Sequence, residues 1–174
     1  MLTLKLDQVV EPGEVRATRE LVAHPGSVVV LPRFADGRVL LVRQFRYAAR
    51  KKLWELVAGG LEPGERVLAA ARRELAEETG YRARRVRRVF SFYPSPGFLT
   101  ERMHLVEATG LASGEARPEA DERIEARAFA RAELRAMLAA HTVEDGKTLL
   151  ALLWLLGPGD GPQDRNPQAA RRKF

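Results

Sequence analysis

The chain contains no cysteine among its 174 residues, which excludes disulfides, a thiol nucleophile and Cys-ligated zinc. Histidine is nearly as scarce. His24, His104 and His141 are scattered and match no metal-ligand spacing, so none receives a role. Aromatic residues make up only 7%, and none is interleaved with the basic run Arg82, Arg84, Arg85, Arg87 and Arg88 or with Arg171, Arg172 and Lys173. A base-stacking platform is therefore missing. Despite a formal net charge of +6, nucleic acid is not expected as a partner, and the basic excess reads as solvated surface. No apolar run is long enough to span a bilayer, and the amino end, MLTLKLDQVV, lacks the basic start, apolar core and cleavage site of a leader. A cytoplasmic protein with no membrane partner is expected. No serine stands in a nucleophile-elbow context, and Gly59, Gly60 and Gly64 lack the lysine of a P-loop.

What is present is ordinary for one globular domain, with 45% apolar and 30% charged residues. A single domain over 1–156 is expected. The remaining GPGDGPQDRNPQAARRKF, 157–174, is rich in Pro and Gly, lacks apolar anchors and reads as a flexible basic tail. Strands are expected at Val15–Val22, Ser27–Leu31, Arg38–Phe45, Leu53–Ala58, Val86–Tyr93, Arg102–Ala108 and Arg123–Phe129, with Ala35-Asp36-Gly37 as a hairpin turn and Gly110–Asp121 as a surface loop. Two helices follow at Arg131–Ala140 and Glu144–Leu156. The second is apolar nearly all round, which predicts deep burial with some subunit interface. Strands on both sides of a central helix, with helices at the end, predict an α/β (α+β) sandwich around a mixed β-sheet.

The chemistry concentrates in Gly59–Tyr81, GGLEPGERVLAAARRELAEETGY. Pro63 and Gly64 mark a turn, Arg66–Thr79 is rich in helix formers, and Gly80 is a C-terminal stop. Leu68, Ala71 and Leu75 share one helix face and are expected to pack inward. Glu74, Glu77 and Glu78 crowd an adjacent face at three- and four-residue spacing. Like charges so placed repel, and a divalent cation between them relieves the repulsion, because hard ions prefer oxygen ligands and bridge carboxylates to phosphates. Arg73, one turn before Glu77, is positioned for an ion pair that orients the site. An isolated RRELAEE would need no more than exposed ion pairs to explain it. The upstream Gly59, Pro63, Gly64 and Glu65 favour a metal-dependent phosphate site instead.

This whole stretch resembles the signature of the Nudix hydrolases at every defining position. The resemblance implies the Nudix-type α/β/α sandwich and the cleavage by water of X-P-P-Y into X-P and P-Y. SFYPSPGFLTE, with Pro96 sixteen residues after Gly80, VRQFRY at 42–47 and LWELVAG at 53–59 resemble the ADP-ribose pyrophosphatase-like subgroup. Val57 departs from the proline frequent there. In that subgroup Arg46 would contact the diphosphate, Pro96, Gly97 and Glu101 would belong to the substrate side, and the Ala58 carbonyl would join Glu74, Glu77 and Glu78 as metal ligands. From PEADERIEA, 118–126, Glu122 would orient or deprotonate the attacking water, with Glu119 in reserve. Glu122, Glu77 and Arg73 are thus the expected catalytic residues. The implied cofactor is Mg²⁺, replaceable by Mn²⁺ or another divalent cation, and the implied assembly is a homodimer whose amino-terminal strands complete the partner's site. ADP-ribose, giving AMP and ribose 5-phosphate, is the expected substrate. GDP-mannose, other sugar nucleotides and NADH are rivals, and a non-catalytic nucleotide- or RNA-binding module is the rival of another class.

Overall fold

The computed structural model describes residues 3–116 and 123–157. Alternation along buried strands sets its layers. In β3 (Ser27–Arg33), Val28 and Val30 enter one core while Val29 and Leu31 enter another, and all four are fully buried. Successive strand side chains face opposite ways, so a continuous apolar run marks a strand covered on both faces. In β4 (Val39–Arg46), Val42 joins the first core and Val39 and Leu41 the second.

The first core is closed by α1 (Val67–Thr79), which sets Ala70, Ala71 and Leu75 against Val28, Val30 and Val106. The second is closed by α2 (Arg131–Ala139) and α3 (Gly146–Leu156), through Leu134, Ala151, Leu152, Leu155 and Leu156. Each fully buried leucine contributes about 1.5–3 kcal/mol relative to exposure. Helices on both faces of one sheet make the expected α/β/α sandwich.

That sheet has seven strands. Its main path runs β5 (Lys51–Glu55), β4, β3, β8 (Met103–Ala112), β7 (Arg82–Phe92), while β6 (Val57–Gly60) pairs with β3 and β9 (Glu125–Phe129) pairs with β4. β3 and β8 run parallel and the other pairs antiparallel, so the sheet is mixed. A separate two-stranded sheet joins β1 (Thr3–Glu11) to β2 (Val15–Ala23). It meets the main body where Val22 N–H donates to the Phe98 carbonyl at 2.7 Å and Thr100 N–H to the Val22 carbonyl at 3.0 Å.

Several sequence expectations change here. β1 is a strand to which the sequence expectations give no bounds, and its alternating Leu4 and Leu6 face solvent at 77% and 67% exposure rather than a core. The strand expected at Leu53–Ala58 is two strands broken at Leu56, so that Glu55 lies on β5 beside β4 and Ala58 on β6 beside β3. β7 and β8 extend beyond their expected ends because Arg82–Arg85 pair with Thr109–Ala112, a ladder that apolar periodicity does not reveal. Leu68 is exposed, not inward-facing, and Ala70 takes the buried place. α3 buries one side only, leaving Leu149, Leu150 and Leu153 partly exposed. Among the described residues, no helix is long and apolar enough to cross a membrane.

Candidate functional site

α1 forms where Ala69, Ala70, Ala71, Leu75 and Ala76 supply strong helix formers, with β-branched residues only at its ends. The turn before it is closed by Glu65 N–H donating to the Glu62 carbonyl at 2.9 Å, with Gly64 in the left-handed region at φ 76°. Gly80, also left-handed at φ 73°, ends the helix by donating its N–H to the Ala76 carbonyl at 2.9 Å. The first of these turns brings the helix back alongside β6, so that Glu74 lies against Gly59 and Arg73 reaches the Gly60 carbonyl.

Arg73 is the hub of this arrangement. Its Nε and Nη2 donate to the two carboxylate oxygens of Glu65 at 3.0 and 2.9 Å, and Nη2 also donates to the Gly60 carbonyl at 3.0 Å. Nη1 donates to Glu74 at 2.7 Å and to Glu77 at 3.1 Å. The expected Arg73 and Glu77 pair is therefore one arm of a larger fan. A planar fork of donors suits this task, and one guanidinium orients three carboxylates and a strand carbonyl at once. The hydrogen bonds to Glu65, followed by those to Glu74 and Glu77, hold the Arg73 pKa above its ordinary value despite partial burial. In return Arg73 holds Glu65 below the usual carboxylate value.

Glu74 packs where Gly59 has no side chain. A Cβ built on Gly59 would lie 1.9 Å from the Glu74 Cδ and Oε1, far inside contact distance. This is a cradle for a carboxylate, and it gives the first glycine of the stretch a steric reason. Glu78, one turn along, is buried at 7% exposure, and its negative charge raises the Arg46 pKa in a minor way beside the larger effect of Glu55. Glu77 is the exposed member of the three, its side chain 48% accessible.

The ligands expected from the resemblance, Glu74, Glu78 and the Ala58 carbonyl, offer only oxygen and would suit a hard cation. Gly59 leaves room for Glu74 next to Ala58. Among the described residues no three acidic or histidine side chains already converge as a ligand set; Glu74 and Glu77 share the Arg73 Nη1 instead.

The other expected residues occupy distinct places. Arg46, at the end of β4, pairs fork to fork with Glu55, Nε to Oε1 at 2.8 Å and Nη2 to Oε2 at 2.8 Å. Glu101 accepts from Ser27 Oγ at 2.6 Å, and Ser27 is the register partner of Gly60, so Glu101 sits near the β6 end of the cluster. Pro96 and Gly97 are exposed in a turn held against β2 through Phe98 and Thr100. Glu122 and Glu119 lie outside the described residues.

Two charged residues at the site were missed by the sequence reading. Glu55, with its side chain 1% exposed, accepts from Lys147 Nζ at 2.6 Å as well as from Arg46. A carboxylate inside the apolar LWELV is itself a signal, since buried charges require partners. Burial pushes the Glu55 pKa up, but the hydrogen bonds from Arg46 and the Lys147 ammonium outweigh it and leave the group below its ordinary 4.5. The stability this carboxylate contributes is therefore fully present above pH 4.5 and is lost as pH falls below it through the folded-state value. Urea unfolding of Glu55→Gln should accordingly show a flatter loss of stability on acidification than the wild type in that window. An unchanged pH dependence would count against the pairing.

Comparison with known proteins gives a consistent result. A family model described as NUDIX domain matches residues 23–153. An ADP-ribose pyrophosphatase of Bacillus subtilis is 35% identical over 157 residues, covering 89% of this chain and 85% of that protein. A GDP-mannose pyrophosphatase of Citrobacter koseri is 35% identical over 139 residues, covering 75% and 72%. Among solved structures, one titled a crystal structure of an ADP compounds hydrolase superposes with a TM-score of 0.74 at 21% identity, over 91% of this chain and 96% of that one.

Proposed function

The chain belongs to the NUDIX domain family, and from that premise we propose that it is a divalent-cation-dependent pyrophosphohydrolase whose substrate is ADP-ribose. The products are AMP and ribose 5-phosphate, one water being consumed across the diphosphate bridge. The observation that carries this reading is the fan of Arg73 hydrogen bonds to Glu65, Glu74 and Glu77 beside the glycine-lined strand, which supports a carboxylate site for diphosphate chemistry. The substrate assignment is supported by the Bacillus subtilis relative.

In this mechanism Glu74, Glu78, Glu77 and the Ala58 carbonyl would hold the cation, for which Mg²⁺ is our choice and Mn²⁺ the substitute. Such a cation neutralises phosphate oxygens and lowers the pKa of a bound water. Arg73 keeps Glu74 and Glu77 oriented. Arg46 binds the diphosphate, as a guanidinium can through paired N–H donors. Glu101 and the Pro96-Gly97 turn belong to the substrate side, and Glu122 takes the proton from the attacking water. The exposed Leu4, Leu6 and Val10 of β1 support a homodimer in which the amino-terminal hairpin packs on the partner.

Turnover of a panel of ADP-ribose, GDP-mannose, NADH, a dinucleoside polyphosphate and a triphosphate-capped RNA, with Mg²⁺ and with EDTA, tests the proposal. ADP-ribose should show the highest kcat/KM, EDTA should abolish turnover, and added Mg²⁺ or Mn²⁺ should restore it. A preference for GDP-mannose would replace the substrate while keeping the site, a second reading that the Citrobacter koseri relative supports. Turnover insensitive to EDTA would overturn the metal mechanism.

A further inference from the structure

The first turn of α3 reaches the candidate site from 92 residues away in sequence. Lys147 Nζ lies between the Glu55 Oε2, at 2.6 Å, and the Asp145 Oδ1, at 2.8 Å, with its side chain only 10% exposed. Asp145 caps the helix by accepting from the Thr148 N–H at 3.0 Å, and Thr148 Oγ1 accepts from the Leu56 N–H at 2.7 Å. One helical turn thus grips both the Glu55 side chain and the backbone of the next residue. Leu56 stands two positions before Ala58, so the grip falls where β5 gives way to β6.

The consequence is felt at Arg46. Glu55 occupies the Nε and Nη2 edge of that guanidinium, and Nη1 has no partner among the described residues. The side chain is 42% exposed. An arginine held by one edge presents its remaining N–H groups in a fixed plane, and such preorganisation reduces what is lost when an anion binds. Glu55 can serve as that clamp only while its own carboxylate is charged and fixed in plane. Lys147 supplies a second charge-assisted hydrogen bond to the same oxygen that receives Arg46 Nη2.

We propose that Glu55 and Lys147 are positioning residues that hold Arg46 with its free edge toward a substrate phosphate, so that the start of α3 sets phosphate affinity without touching the substrate. This rests on the reading of Arg46 as the diphosphate contact. A contact of this type is made in the ground state and in the transition state alike, so its weakening should appear in KM rather than in kcat.

The experiment compares Lys147→Met, Lys147→Arg, Arg46→Ala and the double variant Arg46→Ala/Lys147→Met with ADP-ribose at saturating Mg²⁺. Lys147→Met should raise KM about ten-fold with kcat within about two-fold, and Lys147→Arg should recover most of the loss. The double variant should be no worse than Arg46→Ala, because Lys147 acts through Arg46. Exchange of the Arg46 Nε–H, followed by nitrogen-15 NMR without substrate, should be faster in Lys147→Met than in the wild type. Thermal unfolding separates these effects from loss of fold, with Lys147→Gln as the alternative neutral variant if the methionine is unstable. Additive effects of the two single variants, or a wild-type KM and exchange rate in a folded Lys147→Met, would overturn the positioning role alone. A wild-type KM in Arg46→Ala would instead overturn the reading of Arg46 and the proposal with it.

Discussion

Glu78→Gln is expected to lower turnover of ADP-ribose by about 10³-fold at saturating Mg²⁺, equivalent to about 4 kcal/mol of transition-state stabilisation. The substitution keeps the size of a side chain that is only 7% exposed on the inner side of α1 and removes its charge. In the proposed site that charge would bind the cation, so calorimetric Mn²⁺ binding to the substrate-free protein should weaken in parallel. Folding should survive, because an uncharged amide is less costly to bury than a carboxylate. Glu77→Gln provides the graded comparison. Its side chain is 48% accessible and shares the Arg73 Nη1 with Glu74, so a loss of about ten-fold is expected from the weaker field of a solvated charge. Near wild-type turnover in Glu78→Gln would remove this residue from the metal site, and equal losses in the two variants would remove the distinction drawn from burial.

Gly59→Ala is expected to be nearly as damaging by a different route. The added Cβ would stand 1.9 Å from the Glu74 carboxyl carbon, and Glu74 must then leave its place against β6. The backbone conformation at Gly59 is not in the left-handed region, so the penalty is steric rather than conformational. Displacing a catalytic group by about 1 Å can cost about 10²-fold, and forcing a methyl into a packed position costs about 1–3 kcal/mol of stability. Gly60→Ala is the control, since a Cβ there meets nothing within 4 Å and the carbonyl used by Arg73 is retained. It should stay within a few-fold of wild type in turnover and in urea midpoint. If Gly59→Ala behaves like Gly60→Ala, the cradle is not required, and Glu74 functions from another position.

Much of this arrangement is legible in the residues. The helix expected at Arg66–Thr79 and found at Val67–Thr79, its stop at Gly80 and the pairing of Arg73 with Glu77 all follow from spacing, because each is settled within one or two turns of chain. Spacing misleads where the deciding neighbour is distant. Leu68 lies on the apolar stripe yet is exposed, because Ala70 and Ala71 let α1 approach the sheet on a slightly rotated face. The ladder that Arg82–Arg85 form with Thr109–Ala112 is a backbone property, invisible in a run of arginines. Leu4 and Leu6 alternate without burial, so β1 carries a strand pattern with no core to explain it.

The sequence by itself determined which groups are available to the proposed site: carboxylates without cysteine or clustered imidazole, three of them on one helix with an arginine among them, and the glycines that frame it. Only the tertiary structure decided how those groups are held. It set Glu74 into the space left by Gly59, joined Arg73 to Glu65 and the Gly60 carbonyl, and placed Lys147 against Glu55 across 92 residues. The physical reason is that charge and helical spacing are properties of neighbouring residues in the chain. Steric room and the partner of a buried charge are properties of surfaces that meet only after folding.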